Sequence, residues 1–343
     1  MKPSLKEYVQ IIEKFKKHTI LHLGDLVLDQ FLFGEISRIS REAPVLILNY
    51  RETINIPGGG ANAINNLLSL GAHVFPVGLV GNDEAGDWLY NFFREMGVDV
   101  SGIYRRGDYC TPVKTRVLAG SFHSSMQQML RIDRENVQSG VRVDKPELLH
   151  RLHQVLPLVD GVVISDYGYG FIYDELLPDL IGLCRQRGIP LVVDSRFSMR
   201  KFRFISSITP NISEVEGAYQ MKIGDDLNRM DFIANRILDE QALDALLITR
   251  GRLGMSLYVK GEKPVHISVF GSDEVADVTG AGDTVIAVYT LALACGASYE
   301  VAARMSNYAG GLVVKKRGTA TISDKELRSA IRSDFHPRSY PVS

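Results

Sequence analysis

Cysteine is scarce in this chain, with three residues, Cys110, Cys184 and Cys295, among 343. They are widely spaced and form no metal-ligand pattern, which excludes a disulfide scaffold or a thiolate zinc site and points to free thiols in a reducing cytoplasm. Long apolar runs are missing as well. The longest, residues 285–295, falls short of the roughly 20 helical residues that span a bilayer. No apolar stretch follows the charges of the N-terminus, so a secretory signal is not expected, and the chain reads as cytoplasmic with no membrane partner. Neither sign of charge prevails. With 39 basic and 40 acidic residues, the chain lacks the electrostatic footprint of a nucleic-acid binder. The one basic cluster near the start, Lys14, Lys16 and Lys17, reads as the wet face of a first helix. A Gly-x-x-x-x-Gly-Lys-Ser/Thr loop is absent, which excludes a P-loop kinase, and there is no internal repeat.

What is present is an ordinary globular composition, 45% hydrophobic and 23% charged, arranged in a regular alternation. Leu5, Val9, Ile12 and Phe15 recur at helical spacing. Residues 20–23 form a buried strand that ends at Gly24-Asp25. Helical patterns follow at 61–70, 87–96 and 173–187, with extended ones at 74–80, 161–165, 189–194 and 245–249. Such alternation predicts an α/β fold, a mostly parallel central sheet with helices on both faces. Two stretches depart from it, approximately 31–55 and 109–133, where extended patterns carry little helix signal. They are expected to leave the core and form a small β lid. No linker is long or polar enough to divide the chain, so residues 1–343 are expected to be a single domain with the lid inserted.

The most informative stretch is Asp277-Val278-Thr279-Gly280-Ala281-Gly282-Asp283, followed by the apolar run. A loop of small residues feeding a helix directs unpaired N–H groups and the positive end of the helix dipole to one point, which suits phosphate. A carboxylate at Asp283 is a poor partner for phosphate alone but suits a general base that takes a proton from an attacking hydroxyl. The plainer alternative is a favourable charge in a first helical turn.

This string resembles the C-terminal signature of the ribokinase-like (PfkB) carbohydrate kinases, Asp-x-Thr-Gly-Ala-Gly-Asp. The resemblance implies that Gly280, Ala281 and Gly282 form an anion hole and that Asp283 is the catalytic base. Other matches run along almost the whole chain. Gly24-Asp25 through Asp29 is similar to the family's first strand and turn, which implies that Asp29 binds sugar hydroxyls. Pro57-Gly58-Gly59-Gly60-Ala61-Asn62 resembles the N-terminal signature, placing Gly58, Gly59 and Asn62 on the sugar. Residues 80–86 fit the family's next block. Asn211-Ile212-Ser213-Glu214 looks like the element that organises Mg²⁺ and phosphate through water. Thr249 and Gly251 are similar to a strand end beside the nucleotide, and Asn307 to a position near the adenine. Each has a structural alternative: a turn cap for Asp25 or Asp29, a turn for Gly58–Gly60, a solvated first-turn carboxylate for Glu214, a surface residue for Asn307.

Within the family the similarity extends to the branch that phosphorylates D-glycero-β-D-manno-heptose 7-phosphate at its anomeric hydroxyl. It is carried by residues 24–29, Gly34, 37–45, 114–118, 127–133, Ser165-Asp166-Tyr167-Gly168 and 318–323. A sugar phosphate needs cations about its distal phosphate, and Arg38, Arg41, Lys114, Arg116 and Arg131 are available in the lid. Any one of them is equally an edge-strand charge that discourages aggregation. The resemblance puts Asp29, Gly58, Gly59, Asn62, Arg38, Lys114, Arg131 and Asp166 about the acceptor. Three departures stand out: Tyr169 where a Lys is expected, Asp194-Ser195-Arg196 for Asp-Pro-Lys, and Phe122-His123-Ser124-Ser125 as added lid sequence.

The reading is therefore in-line transfer from ATP to a sugar or sugar-phosphate hydroxyl. Mg²⁺ is expected, with Asn211 and Glu214 in its outer shell, bound through water. The resemblance further implies a monovalent cation such as K⁺ near Asp277, Thr279 and Ala320, and a homodimer through the lid. A second domain with a His-x-x-His nucleotidyltransferase motif is not expected before Ser343, and His150-Arg151-Leu152-His153 reads as one face of an amphipathic helix. Competing readings are a kinase for a pentose, hexose or nucleoside, and a non-catalytic sugar- or nucleotide-binding regulator on the same scaffold.

Overall fold

The computed structural model describes residues 3–120, 126–135, 141–271 and 276–336; the departure at Phe122–Ser125 lies outside them. In chain order the elements are α1 (Leu5–Lys14), β1 (Thr19–Gly24), β2 (Leu26–Ile39), β3 (Leu46–Gly59), α2 (Gly60–Ser69), β4 (His73–Gly81), α3 (Glu84–Glu95), β5 (Ile103–Arg106), β6 (Val113–Gly120) and β7 (Gln127–Arg134). They continue as α4 (Lys145–Val155), β8 (Gly161–Asp166), α5 (Leu177–Arg187), β9 (Leu191–Ser195), β10 (Ser207–Ile208), α6 (Ile212–Tyr219), α7 (Leu227–Gln241) and β11 (Ala245–Thr249). The last are β12 (Met255–Val259), β13 (Val265–Ile267), α8 (Ala281–Ala294), α9 (Tyr299–Val313) and α10 (Asp324–Phe335).

Among the described residues the main sheet runs β13-β12-β11-β10-β9-β8-β1-β4-β5. It is parallel from β11 to β5, with β12 and β13 antiparallel at one edge. Alternate side chains feed two cores, as the period of a strand requires. Ile20, Val163, Val192 and Leu247 join the layer of α1, α2, α8, α9 and α10, while Leu21, Val162, Val193 and Leu246 join that of α4, α5 and α7. Helix α8 is buried from Asp283 to Ala292, so its sequence is apolar around the whole circumference rather than along one stripe.

Strand order reverses between β1 and β8. β4 and β5 extend the sheet on one side of β1, and β8 to β11 extend it on the other. In open α/β sheets ligands collect at the carboxyl ends of strands beside such a reversal. Asp25 and Asp166, at the ends of β1 and β8, stand there.

The two stretches that break the rhythm lie in a separate four-stranded sheet, β3-β2-β6-β7. It begins earlier than the sequence pattern suggests. β2 starts at Leu26, with only Asp25 between it and β1, because its first residues are buried against the core and lack the alternation of an exposed strand. At the second stretch, Tyr109 is 4% exposed and belongs to the main core; sheet pairing starts at Val113. Helix α5 starts at Leu177, later than the predicted 173, with Pro178 in its first turn, where a missing N–H has no helical partner to lose. Helix α3 starts earlier than predicted because Asp83 caps it through the amide of Gly86. His150 and His153 are exposed on α4. Among the described residues, no helix is long and apolar enough to cross a membrane.

Candidate active site

Asp283 occupies the first turn of α8 and is 3% exposed. Both its oxygens accept hydrogen bonds, Oδ1 from the phenol of Tyr167 at 2.5 Å and Oδ2 from Asn62 Nδ2 at 2.9 Å. Burial pushes its pKa up to about 7. The two donors and the Lys114 ammonium act against that rise, whereas the nearby Asp29 adds to it. A carboxylate so placed exchanges a proton near neutrality, as a general base requires.

The loop before it is shaped by contact as much as by flexibility. Gly280 has φ +76°, and a Cβ there would stand 2.5 Å from Asn62 Nδ2. Beyond it, the amide of Ala281 donates to the Val278 carbonyl. Of the amides expected to form the anion hole, that of Ala281 therefore has a partner within its own loop, while those of Gly282 and, one residue on, Asp283 have none within the helix. A Cβ on Gly282 would meet nothing nearer than Asp194 Oδ2 at 3.8 Å, so this turn stays open to a ligand.

Asp29 lies on β2 beside this point. Its Oδ1 accepts from Arg116 at 2.7 Å and its Oδ2 from Thr319 Oγ1 at 2.6 Å. Gly58 is required next to it, since a Cβ there would lie 2.7 Å from Asp29 Cγ. Gly58 and Gly59 pair with Val27 and Leu26 as part of β3, not as a free loop. Asn62 is fully buried, and its amide nitrogen donates to Asp283 and to the Gly280 carbonyl.

Register decides which residues of the four-stranded sheet face this cluster, because directly paired residues share a sheet face. Asp29, Lys114 and Asp133 form one row, and Phe31, Arg116 and Arg131 the next on the same face. Arg131 is tied to Asp133. Lys114 is 7% exposed, and its Nζ lies 5.6 Å and 5.7 Å from the ring centres of Tyr167 and Tyr169. Burial, with Arg196 and Arg131 close by, depresses its pKa. Arg38 does not join them. It is exposed, nine residues beyond Asp29 on β2, a separation on the order of 30 Å along an extended strand.

A cleft of about 620 Å³ opens on the other side of Asp283, lined by Asp166, Asp194, Arg196, Asn211, Glu214, Thr249 and Gly282 among others. Asn211 and Glu214 form a reciprocal capping box that starts α6, so helix initiation alone accounts for their spacing. Glu214 nonetheless faces a second carboxylate. Burial first, and then Glu214, Asp283 and Asp166, hold Asp194 well above the usual carboxylate range. Asp166 is held by Ser195 Oγ at 2.8 Å and by Lys201 at 3.0 Å. Thr249 lies in the cleft at the end of β11, with Gly251 two residues on at φ +54°. Asn307 lines a different cleft, with Tyr8, Phe270 and Tyr308, and donates to the Ser268 carbonyl at 2.8 Å.

Sequence reasoning missed Tyr167, Asp194 and Thr319 as site residues. Tyr167 and Asp194 stand at or just past the carboxyl ends of β8 and β9, and the strand-end rule was the signal available. Thr319 sits in a loop that no local pattern distinguishes.

Residues 26–326 match the model of the pfkB family carbohydrate kinases. The bifunctional protein HldE of Desulfatibacillum aliphaticivorans is 37% identical over 322 residues, covering 94% of this chain and 64% of that protein. HldE of Geobacter sulfurreducens is 41% identical over 309 residues, 90% of this chain and 61% of that protein. The chain thus spans somewhat under two thirds of the length of these relatives. Among solved structures, Arabidopsis thaliana ribokinase complexed with ribose and ATP superimposes with a TM-score of 0.72 at 18% identity, covering 92% of this chain and 99% of that one. Escherichia coli phosphofructokinase-2 in complex with potassium does so with a TM-score of 0.70 at 19% identity, covering 92% and 98%.

Proposed function

Because the chain belongs to the pfkB family of carbohydrate kinases, we propose that its acceptor is a sugar already bearing a phosphate, D-glycero-β-D-manno-heptose 7-phosphate, phosphorylated at the anomeric hydroxyl. The chain is a sugar kinase that transfers phosphate to a hydroxyl. That leaves no role for the non-catalytic reading. The observation that carries the finer reading is the concentration of cations on the acceptor side. Arg116 and Arg131 are matched by Asp29 and Asp133, while Lys114 lies over two tyrosine rings with its pKa depressed first by burial and then by Arg196 and Arg131, against the pull of Asp133 and Asp29. A free sugar brings no charge to balance such a group; a distal phosphate does. The similarity to HldE points the same way.

In this reading Asp283 takes the proton from the acceptor hydroxyl, a contribution of about 10² to 10⁴ in rate. The first-turn amides of α8 bear on the charge that develops on the transferred phosphoryl group, each worth on the order of 3 kcal/mol. ATP occupies the cleft between Gly282 and Glu214, with Thr249 and Gly251 beside it. Among the described residues no three His, Cys, Asp or Glu side chains close into a direct metal cage. The donors present fit Mg²⁺, which Asn211 and Glu214 would hold through water. When bound, Mg²⁺ would neutralise charge on those phosphates. Asp277 ties its own loop to that of Thr319, its oxygens accepting from the amides of Thr279 and Gly318, where a monovalent cation would brace the anion hole. The four-stranded sheet serves as a lid that excludes water from the transfer. Its opposite face, where Leu130 and Ile132 are 57% and 53% exposed, pairs two copies of the chain.

The test is ADP release with ATP, Mg²⁺ and a panel of heptose 7-phosphate, fructose 6-phosphate, ribose, fructose and adenosine, run beside Asp283→Asn. The reading expects the highest kcat/KM for the heptose phosphate and loss of turnover in the variant. A free sugar or nucleoside preferred over both phosphates would overturn it.

A further inference from the structure

Tyr167 is anchored from three directions, and its hydroxyl has a single partner among the described residues. Its backbone amide donates to Asp25 Oδ2 at 2.8 Å, and the same carboxylate receives the amides of Tyr169 at 3.1 Å and Phe171 at 3.3 Å. Its ring lies against Gly59, where a Cβ would stand 3.2 Å from Cε2, and beneath the Lys114 ammonium. A side chain so restrained presents its O–H in one direction, which is Asp283 Oδ1. With Asn62 on Oδ2, the two donors fix the plane of the carboxylate and leave the remaining lone pairs for an acceptor hydroxyl.

We propose that Tyr167 is the positioning residue for the base, its phenol holding the Asp283 carboxylate ionised and aimed at the hydroxyl that surrenders its proton. This rests on Asp283 being that base. The charged groups facing Asp283 are Asp29 from β2, Lys114 from β6 and Asp194 from β9. Two of the three are acidic, so a donor that favours the charged carboxylate works against its surroundings as well as against burial. The phenol itself stays protonated, because burial and the adjacent Asp283 and Asp194 carry its pKa well above the ordinary tyrosine value. It therefore remains a donor through the range in which Asp283 titrates.

Tyr167→Phe keeps the ring and removes only the donor. The first measurement is an infrared titration of the ligand-free protein, in which subtraction of Asp283→Asn assigns the carboxyl band. Its midpoint is expected to rise by about one pH unit in Tyr167→Phe. With ATP and heptose 7-phosphate, kcat should fall roughly tenfold with KM little changed, and the acid limb of the pH profile should move up with the infrared midpoint. A merely structural tyrosine would lower activity evenly and leave both midpoints in place. An unmoved carboxyl midpoint overturns the inference whatever happens to turnover. Full activity in Asp283→Asn overturns instead the assignment of the base. If Tyr167→Phe does not fold, difluorotyrosine at position 167, a stronger donor, should shift the midpoint down; a midpoint unmoved there overturns the inference equally.

Discussion

Arg116 and Asp29 form an ion pair of 2.7 Å at the root of the second sheet, their side chains only 10% and 5% exposed. Two strands 87 residues apart in sequence are thus joined by charge as well as by backbone pairing. Removing one partner of a buried pair strands the other charge, at a cost of about 3–5 kcal/mol. Arg116→Met is expected to lower the free energy of unfolding by that amount in urea titrations. A variant as stable as the parent would mean that Thr319 and solvent suffice for Asp29.

The pH dependence follows from the raised pKa of Asp283, about 7, set first by burial. A base must be ionised, and a raised pKa moves the ionised range upward. Turnover is therefore expected to be full above this value and to fall about tenfold per unit below it. An acid limb near the ordinary carboxylate range in kcat/KM profiles would show that another group is being read.

The two glycines flanking Ala281 should respond differently. Gly280→Ala forces an L-residue to φ +76° and drives a methyl into Asn62, so a stability loss of ~1–2 kcal/mol is expected, together with lost turnover. Gly282→Ala meets no atom within 3.8 Å. Its thermal midpoint should match the parent while the KM for ATP rises, because the methyl stands where phosphate approaches. Calorimetry and steady-state kinetics on the pair separate strain from obstruction.

The outer face of the second sheet gives a prediction about assembly. Leu130→Glu places a charge on a strand whose apolar side chains are already exposed, so it should leave the fold intact. If copies of the chain pair through that face, sedimentation velocity will find the parent dimeric and the variant monomeric. Equal sedimentation of the two would place any dimer elsewhere.

Much of this organisation is carried by local pattern. The helical period of α1, the buried runs of β1, β8 and β11 and the small-residue string before α8 are contiguous, and each depends on neighbours a few residues away. The α/β class and the position of Asp283 at a helix start therefore follow from the chain read in order. So does the departure of two segments from the core, because their alternation differs from that of buried parallel strands.

What tertiary structure decided is which groups meet. Tyr167 and Asp283 are 116 residues apart, and Thr319 and Asp29 are 290 apart. Lys114 faces the site because β6 pairs with β2 in one register; a slip of a single residue would turn it to the opposite face. Arg38 carries the same charge on the same sheet and is held far away by the length of β2. Charge and hydrogen-bonding capacity belong to the residue type, so composition and spacing reveal them. Distance, burial and the resulting proton affinity belong to the packing of remote segments, and only the folded chain sets them.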